Sequence, residues 1–187
     1  MNAESVIFEP ARNSLEQFQQ ECVANLTECI VTRDAQESAL QLSFVLKSLP
    51  AGEIFAQDHP GLRSLIHAKT DRPIRWSSEG TPAESSQVTI TLAEALIAQT
   101  GSVLVTARCG GRGGSIVAPC HIVYATINQL VPDLQTALTY LSRERKLEVN
   151  SFACVISGSS RTADIEKIMV QGAHGPRRLV VILQTMT

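Results

Sequence analysis

The stretch Ser157 to Pro176, SGSSRTADIEKIMVQGAHGP, crowds glycines, hydroxyls, an arginine, acids and a histidine together. Gly158, Ser159, Ser160, Arg161 and Thr162 follow the apolar run Phe152 to Ile156, which reads as a buried strand. A strand opening through this turn into a helix aims free backbone N–H groups, hydroxyls and a guanidinium at one spot. That chemistry is anion binding. The same residues also suit a plain helix cap, with Ser160 or Thr162 as the cap and Asp164 and Glu166 in a first turn favoured by the macrodipole. Those acids would repel a phosphate, so the local electrostatics pull both ways. The expected helix ends at Gly172, in a left-handed position, and Pro176 stops any continuation. His174, between small residues at that helix end, is the candidate acid, base or hydrogen-bond donor; the plain alternative is a cap for the last helix carbonyls.

A second candidate is Cys109-Gly110-Gly111-Arg112-Gly113-Gly114-Ser115. Glycines on both sides of Arg112 permit close backbone approach and leave the guanidinium free to close over an anion, and they equally make a flexible linker. The run is not a P-loop, because no lysine followed by Ser or Thr is present. A third loop, Thr126 to Gln129, also follows a strand. Cys109, Cys120, His121 and His174 do not have the spacing of a zinc or iron–sulfur site, so no metal and no resident cofactor is expected. His121, at the start of a strand, reads as structural, and His59 and His67 have no distinguishing context. Cys120 and Cys154 lack a visible base, Ser157 and Ser160 form no nucleophile elbow, and Asp164 and Glu166 are too close in sequence to face each other on a helix. These residues name no reaction, and whether the chain is an enzyme is left open.

The elements that must position these groups alternate. Leu15, Phe18, Cys22 and Leu26 recur at helical spacing before a strand at Ile30-Val31. Asp34 can cap a helix with Ala39, Leu42, Leu46 and Leu49 on one face, ended by Pro50-Ala51-Gly52 before a strand at Ile54 to Ala56. A helical segment through Leu62, Leu65 and Ile66 follows, then a strand near Pro73 to Trp76 and a Ser, Gly and Pro rich surface loop from Ser77 to Ser86. Val88 to Ile90 reads as strand, Leu92 to Ala98 as helix, and Ser102 to Thr106 and Ile122 to Ala125 as strands. An amphipathic helix near Pro132 turns Leu134, Leu138 and Leu141 inward. Leu179 to Leu183 closes the chain as a buried strand. The alternation predicts an α/β fold, a three-layer α/β/α arrangement with a mainly parallel sheet, because parallel neighbours need crossovers. Ligands in such sheets lie beyond the carboxyl ends of the strands.

The wording ISGSSRTADIEKIMVQGAHGPRRLVVIL, preceded in order by IAQTGSVLVTA and the Pro119-Cys120-His121-Ile122-Val123 strand, resembles the signatures of the lactate utilisation protein C family, the LUD domain. The likeness is strongest over residues 88–187, and the chain as a whole, 1–187, reads as one domain. Gln99 departs from the glutamate usual in the family, and Ser159 from the proline of many members. The resemblance implies a NagB/RpiA/CoA-transferase-like fold and a role in oxidising L-lactate to pyruvate as an accessory or ligand-binding component beside iron–sulfur proteins. Thr100 and Gly101, inside the second signature, join the expected ligand contacts. The alternative is an independent enzyme or sensor for a small anionic metabolite, phosphorylated or CoA-linked, held by the Gly158 turn with Arg161, Thr162, Arg112 and His174.

Whole-chain properties fit. A net charge of −2 and a pI near 6.1 give no general attraction to nucleic acid or anionic membrane. With 4% aromatic residues, stacking platforms for single strands are not expected either. Five cysteines with no C-x-x-C pair suit a reducing compartment. MNAESVIFEPARNS has neither the basic start nor the apolar core of a secretion signal, and no stretch is long enough to span a bilayer. Cytoplasmic residence is the expectation.

Overall fold

A computed structural model describes residues 12–67, 69–111, 113–144, 150–163, 169–171 and 175–186. Helix α1 (Arg12–Ala24) precedes β1 (Thr27–Thr32), and α2 (Ala35–Lys47) carries the chain to β2 (Ile54–Ala56). Asp34 caps α2 by accepting from Glu37 N at 2.9 Å, as expected of an aspartate before a periodic apolar run. A short helix, α3 (Pro60–Ile66), leads to β3 (Ile74–Trp76), and a surface loop returns to β4 (Val88–Leu92). The Ser77 to Ser86 loop opens with one 3₁₀ turn and ends on a buried Ser86 whose hydroxyl donates to Glu53 Oε1 at 3.0 Å. With β7 (Cys120–Thr126) and β12 (Arg178–Gln184), these strands build a six-stranded sheet in the order β1-β12-β7-β4-β2-β3, parallel at every pairing. The α/β class with a mainly parallel sheet is therefore as the alternation predicts.

The sheet is buried on both faces, which is why its strands read as continuous apolar runs. Leu42 and Leu46 of α2 and Leu62 and Ile66 of α3 pack on Ile54, Ile90, Ile122 and Ile182. On the opposite face, Phe18 and Cys22 of α1 share a core with Val123, Val181 and Leu183 and with a second sheet. That sheet holds β5 (Ala95–Ile97), β6 (Ser102–Thr106), β8 (Leu130–Val131) and β9 (Ala153–Ile156) in the order β8-β5-β6-β9. Helix α4 (Leu134–Arg143) covers its outer side through Ala137 and Leu141.

Several local expectations are corrected. Leu92 to Ala98 contains no α-helix: β5 runs antiparallel to β6 and parallel to β8, sending Leu96 to the main core and Ala95 and Ile97 toward α4. A short apolar run does not reveal its period, and here the sheet partners decide. Of the helix expected after Thr162, residues 164–168 lie outside the described residues, and those on either side are extended: β10 (Arg161–Ala163) pairs antiparallel with β11 (Met169–Gln171), with Arg161 opposite Gln171 and Ala163 opposite Met169. Strand β9 is an edge strand, with Val155 42% exposed, rather than a buried one. Finally, α4 buries Leu141 but leaves Leu134 and Leu138 41% and 42% exposed, since only one side of it meets the second sheet.

Candidate functional site

Strands β2 and β4 are neighbours whose chains leave in opposite directions. From β2 the chain turns into α3 on one face; from β4 it enters the second sheet on the other. Right-handed crossovers impose this, because β1, β2 and β3 progress across the sheet one way and β4, β7 and β12 the other. A crevice must open where the connections part, beyond the carboxyl ends. The structure has a cleft of about 330 Å³ there, lined by residues at or just beyond the carboxyl ends of β2, β4, β6 and β7, among them Gln57, His59, Glu94, Arg108, Tyr124 and Gln129.

The cleft's walls are fixed by side-chain amides. Buried Gln57 continues the ladder: its N–H donates to Ile90 O at 2.9 Å, and its Oε1 accepts from Leu92 N at 3.0 Å. Gln129 ties the exits of β7 and β4, accepting from Thr126 N at 2.7 Å while its amide NH₂ donates to Ala93 O. Glu94 is positioned by its N–H bond to Leu104 O at 2.8 Å and by Thr106 Oγ1, which donates to Glu94 Oε1 at 3.1 Å. Arg108, on the 3₁₀ turn after β6, is exposed at the cleft. His59 Nδ1 accepts from Gly61 N at 3.1 Å, which in the neutral ring puts the proton on Nε2. Tyr124 donates its hydroxyl to Gln184 Oε1, and burial raises its pKa, so it stays a phenol at neutral pH. One carboxylate, one guanidinium, an imidazole and neutral donors thus meet in a small volume. Such a set can hold a compact organic acid and orient its hydroxyl or carbonyl group. A second cavity of about 410 Å³ shares Gly61 and Tyr124 with the cleft.

Of the loops singled out from sequence, Thr126 to Gln129 lies in this cleft. Cys109, just beyond Arg108, is buried, and burial pushes its thiol up to about 11. Arg112 lies outside the described residues, as do Asp164, Glu166, Gly172 and His174. The Gly158 turn is elsewhere. It follows β9 of the second sheet and lies at the amino end of the parallel sheet, where Ser160 N donates to Pro176 O at 2.8 Å just ahead of β12. Ser159 is buried there, and Arg161 and Thr162 open β10. Thr100 and Gly101 meet this turn at the end of α1. Asn25 Nδ2 donates to Thr100 O at 2.7 Å, and a hydroxyl chain runs from Thr100 to Ser102 at 2.7 Å and on to Ser157 at 2.6 Å. Gly101 has φ +57°, and a Cβ on it would stand 2.6 Å from Cys22 N; Gly158 has φ +80°, and a Cβ there would strike Asn25 O. Both glycines are required by close approach of α1.

His121 does not reach the cleft. It is fully buried between the layers, with Nε2 2.8 Å from Thr91 Oγ1, and burial lowers its pKa to about 4. Sequence reasoning passed over Gln57, His59, Glu94, Arg108 and Tyr124. Their common signal is position, at or just beyond the carboxyl end of a strand, and reading Leu92 to Ala98 as helix concealed it for Glu94.

The geometry defines an α/β protein with a polar cleft at a topological switch point. The chain belongs to the LUD domain family, whose pattern matches residues 15–184. It is 30% identical over 141 residues to lactate utilization protein C of Bacillus subtilis, covering 66% of this chain but only 56% of that protein, so the match spans little more than half of the relative. With lactate utilization protein C of a Geobacillus species it shares 28% over 192 residues, 91% of this chain and 78% of the relative. The crystal structure of a DUF162 family protein from Deinococcus radiodurans has the same fold, with a TM-score of 0.67 at 18% identity over 93% of this chain and 99% of that one. Among the described residues no helix is long and apolar enough to cross a membrane, and no group of three or more His, Cys, Asp or Glu side chains is placed to hold a metal ion.

Proposed function

We propose that this chain serves lactate utilisation, the process named for its relatives, as a ligand-binding component whose site is the cleft between β2 and β4. The observation that carries this reading is the convergence of Glu94, Arg108 and His59 at the point where the connections of β2 and β4 part. In this reading Arg108 pairs with the carboxylate of a small hydroxy or keto acid, and Glu94 and the His59 ring take its hydroxyl or carbonyl group. Oxidation of L-lactate to pyruvate is then completed with iron–sulfur partner proteins, which carry the electrons, in the cytoplasm.

Thermal unfolding of the purified chain with lactate, pyruvate and unrelated acids tests the binding step. A ligand at about a hundred times its Kd adds roughly 2.7 kcal/mol and raises the midpoint by several degrees. The rise is expected with the hydroxy or keto acid and is expected to vanish in Arg108→Ala. No rise with any such acid, or an equal rise in the variant, removes the cleft from this role. Recovery of iron–sulfur proteins with the tagged chain from lactate-grown cells tests the partnership separately.

A second reading rests on the cavity that shares Gly61 and Tyr124 with the cleft, since together they have room for a larger anion such as a phosphorylated or CoA-linked metabolite. The Gly158 to Thr162 turn is the alternative place for such an anion, and Arg161→Ala is its test. Stabilisation by sugar phosphates or CoA esters but not by lactate or pyruvate would favour an independent enzyme or sensor.

A further inference from the structure

At the opposite end of the parallel strands from the cleft, the chain between α3 and β3 passes the last turn of α2. This stretch, Lys69 to Pro73, is held along its length. Ser43 Oγ donates to Lys69 O at 3.4 Å, Arg72 N to Thr70 Oγ1 at 3.1 Å, and Ile54 N to Pro73 O at 2.9 Å. A cavity of about 440 Å³ opens between it and α2, and Lys47, Lys69, Asp71 and Arg72 are among its lining. Three cations therefore meet one carboxylate, and neither lysine has an ion pair among the described residues. Arg72 sharpens the imbalance. Its Nε donates to Gly52 O at 2.8 Å and its Nη1 to Leu46 O at 3.4 Å, which satisfies a carbonyl at the end of α2. Nη2 is buried and has no hydrogen-bond partner. Covering guanidinium N–H groups without an acceptor costs free energy, and an acceptor that enters the cavity removes that cost. An arginine serving only to cap α2 would be better placed with Nη2 in water.

We propose that this cavity binds a phosphate group, free or carried on a small metabolite, at a site separate from the cleft and independent of the function proposed for it. The group lies between the Lys47 and Lys69 ammonium groups, and one of its oxygens accepts from Arg72 Nη2. Because Nη2 is closed to solvent, a small rotation of the guanidinium brings it round, and the long bond from Nη1 to Leu46 O is the one that gives way. Phosphate suits the set better than a carboxylate does, since oxygens spread over a tetrahedron can meet cations that approach from different sides. The negative end of α2 opposes an anion, but Arg72 already lies on Leu46 O and covers that end with a cation. Asp71 is the opposing charge in the lining, and it is exposed, where water screens it. The cavity is larger than phosphate alone requires, and Leu46, Ala51 and Pro73 line the remainder.

Thermal unfolding of the full chain with inorganic phosphate and with glycerol phosphate, each against sodium chloride of equal ionic strength, tests the site. Either probe at about a hundred times its Kd should raise the midpoint by several degrees. The rise should disappear in the double variant Lys47→Gln, Lys69→Gln, which breaks no ion pair of the described fold, and Asp71→Asn should give it at a lower probe concentration. Arg72→Lys keeps a cation but loses Nη2, so it should need more of either probe. Equal responses to the two probes would show that the phosphate group alone is recognised, and a response to glycerol phosphate at lower concentration would show that the organic part is held as well; both uphold the site. No rise, a rise matched by sodium chloride, an equal rise in the double lysine variant, or one that vanishes in Arg108→Ala and so belongs to the cleft overturns the proposal.

Discussion

Gln57 and Leu92 join the ends of two strands that are about to separate: the Leu92 N–H donates to Gln57 Oε1 at 3.0 Å, one step past the last β2–β4 pair, Ala56 with Ile90. A side chain thus extends the ladder where the backbone of β2 turns away to α3. The cleft exists because the strands diverge, and it keeps its shape because this amide prevents them from fraying.

Gln57→Leu should therefore cost more than its volume suggests. The Leu92 N–H loses its acceptor in a half-buried place, a penalty of roughly 1–3 kcal/mol. For a chain of this size that lowers the unfolding midpoint by about 2–4 °C per kcal/mol. Amide exchange at Leu92 should accelerate more than exchange at Ile90, whose environment the change leaves alone; equal acceleration would argue against the amide's role.

His121 predicts an acid-sensitive term. Its folded pKa, near 4, lies below the ordinary value of 6.5 because burial disfavours the imidazolium. Between those values the unfolded state binds more protons than the folded state, so stability rises with pH across the window and is lost as pH falls from about 6.5 toward 4. The size is roughly 3 kcal/mol at full development. Denaturant unfolding of wild type and His121→Asn at several pH values should show the variant with a shallower slope in that window. Parallel slopes would mean His121 does not carry it.

Gly101→Ala and Gly158→Ala should each destabilise strongly, since both combine left-handed backbone with a Cβ that meets α1 or the residue after it. Gly111→Ala is the control, with φ +72° and nothing within 4 Å of the added atom. It should cost only the backbone strain, about 1 kcal/mol. Comparable midpoints for all three would show that close approach of α1 is unimportant.

On α4, Leu141→Ala should cost about 2–5 kcal/mol, as for other buried leucines, while Leu138→Ala should stay within about 1 kcal/mol. Chemical denaturation separates these. Equal losses would restore the inward face expected from the leucine spacing alone.

The sequence by itself determined the class of fold and the positions of most elements. Runs such as Val180 to Leu183 and Ile122 to Ala125 are apolar without alternation because a parallel sheet buries both faces, and Asp34 marks a helix start because its carboxylate satisfies a free N–H. Both signals are local and survive without knowledge of partners. Only the tertiary structure decided that Ala95 to Ile97 is a strand, that α4 turns Leu138 outward, and that Gly158 lies at the amino end of the sheet near Asn25. Each depends on which surface a segment meets, and that surface is supplied by distant residues. The cleft is of the same kind. Gln57, Glu94, Arg108 and Tyr124 are ordinary in their local contexts, and they become a site because crossovers of one hand, run in opposite directions across one sheet, must part between β2 and β4.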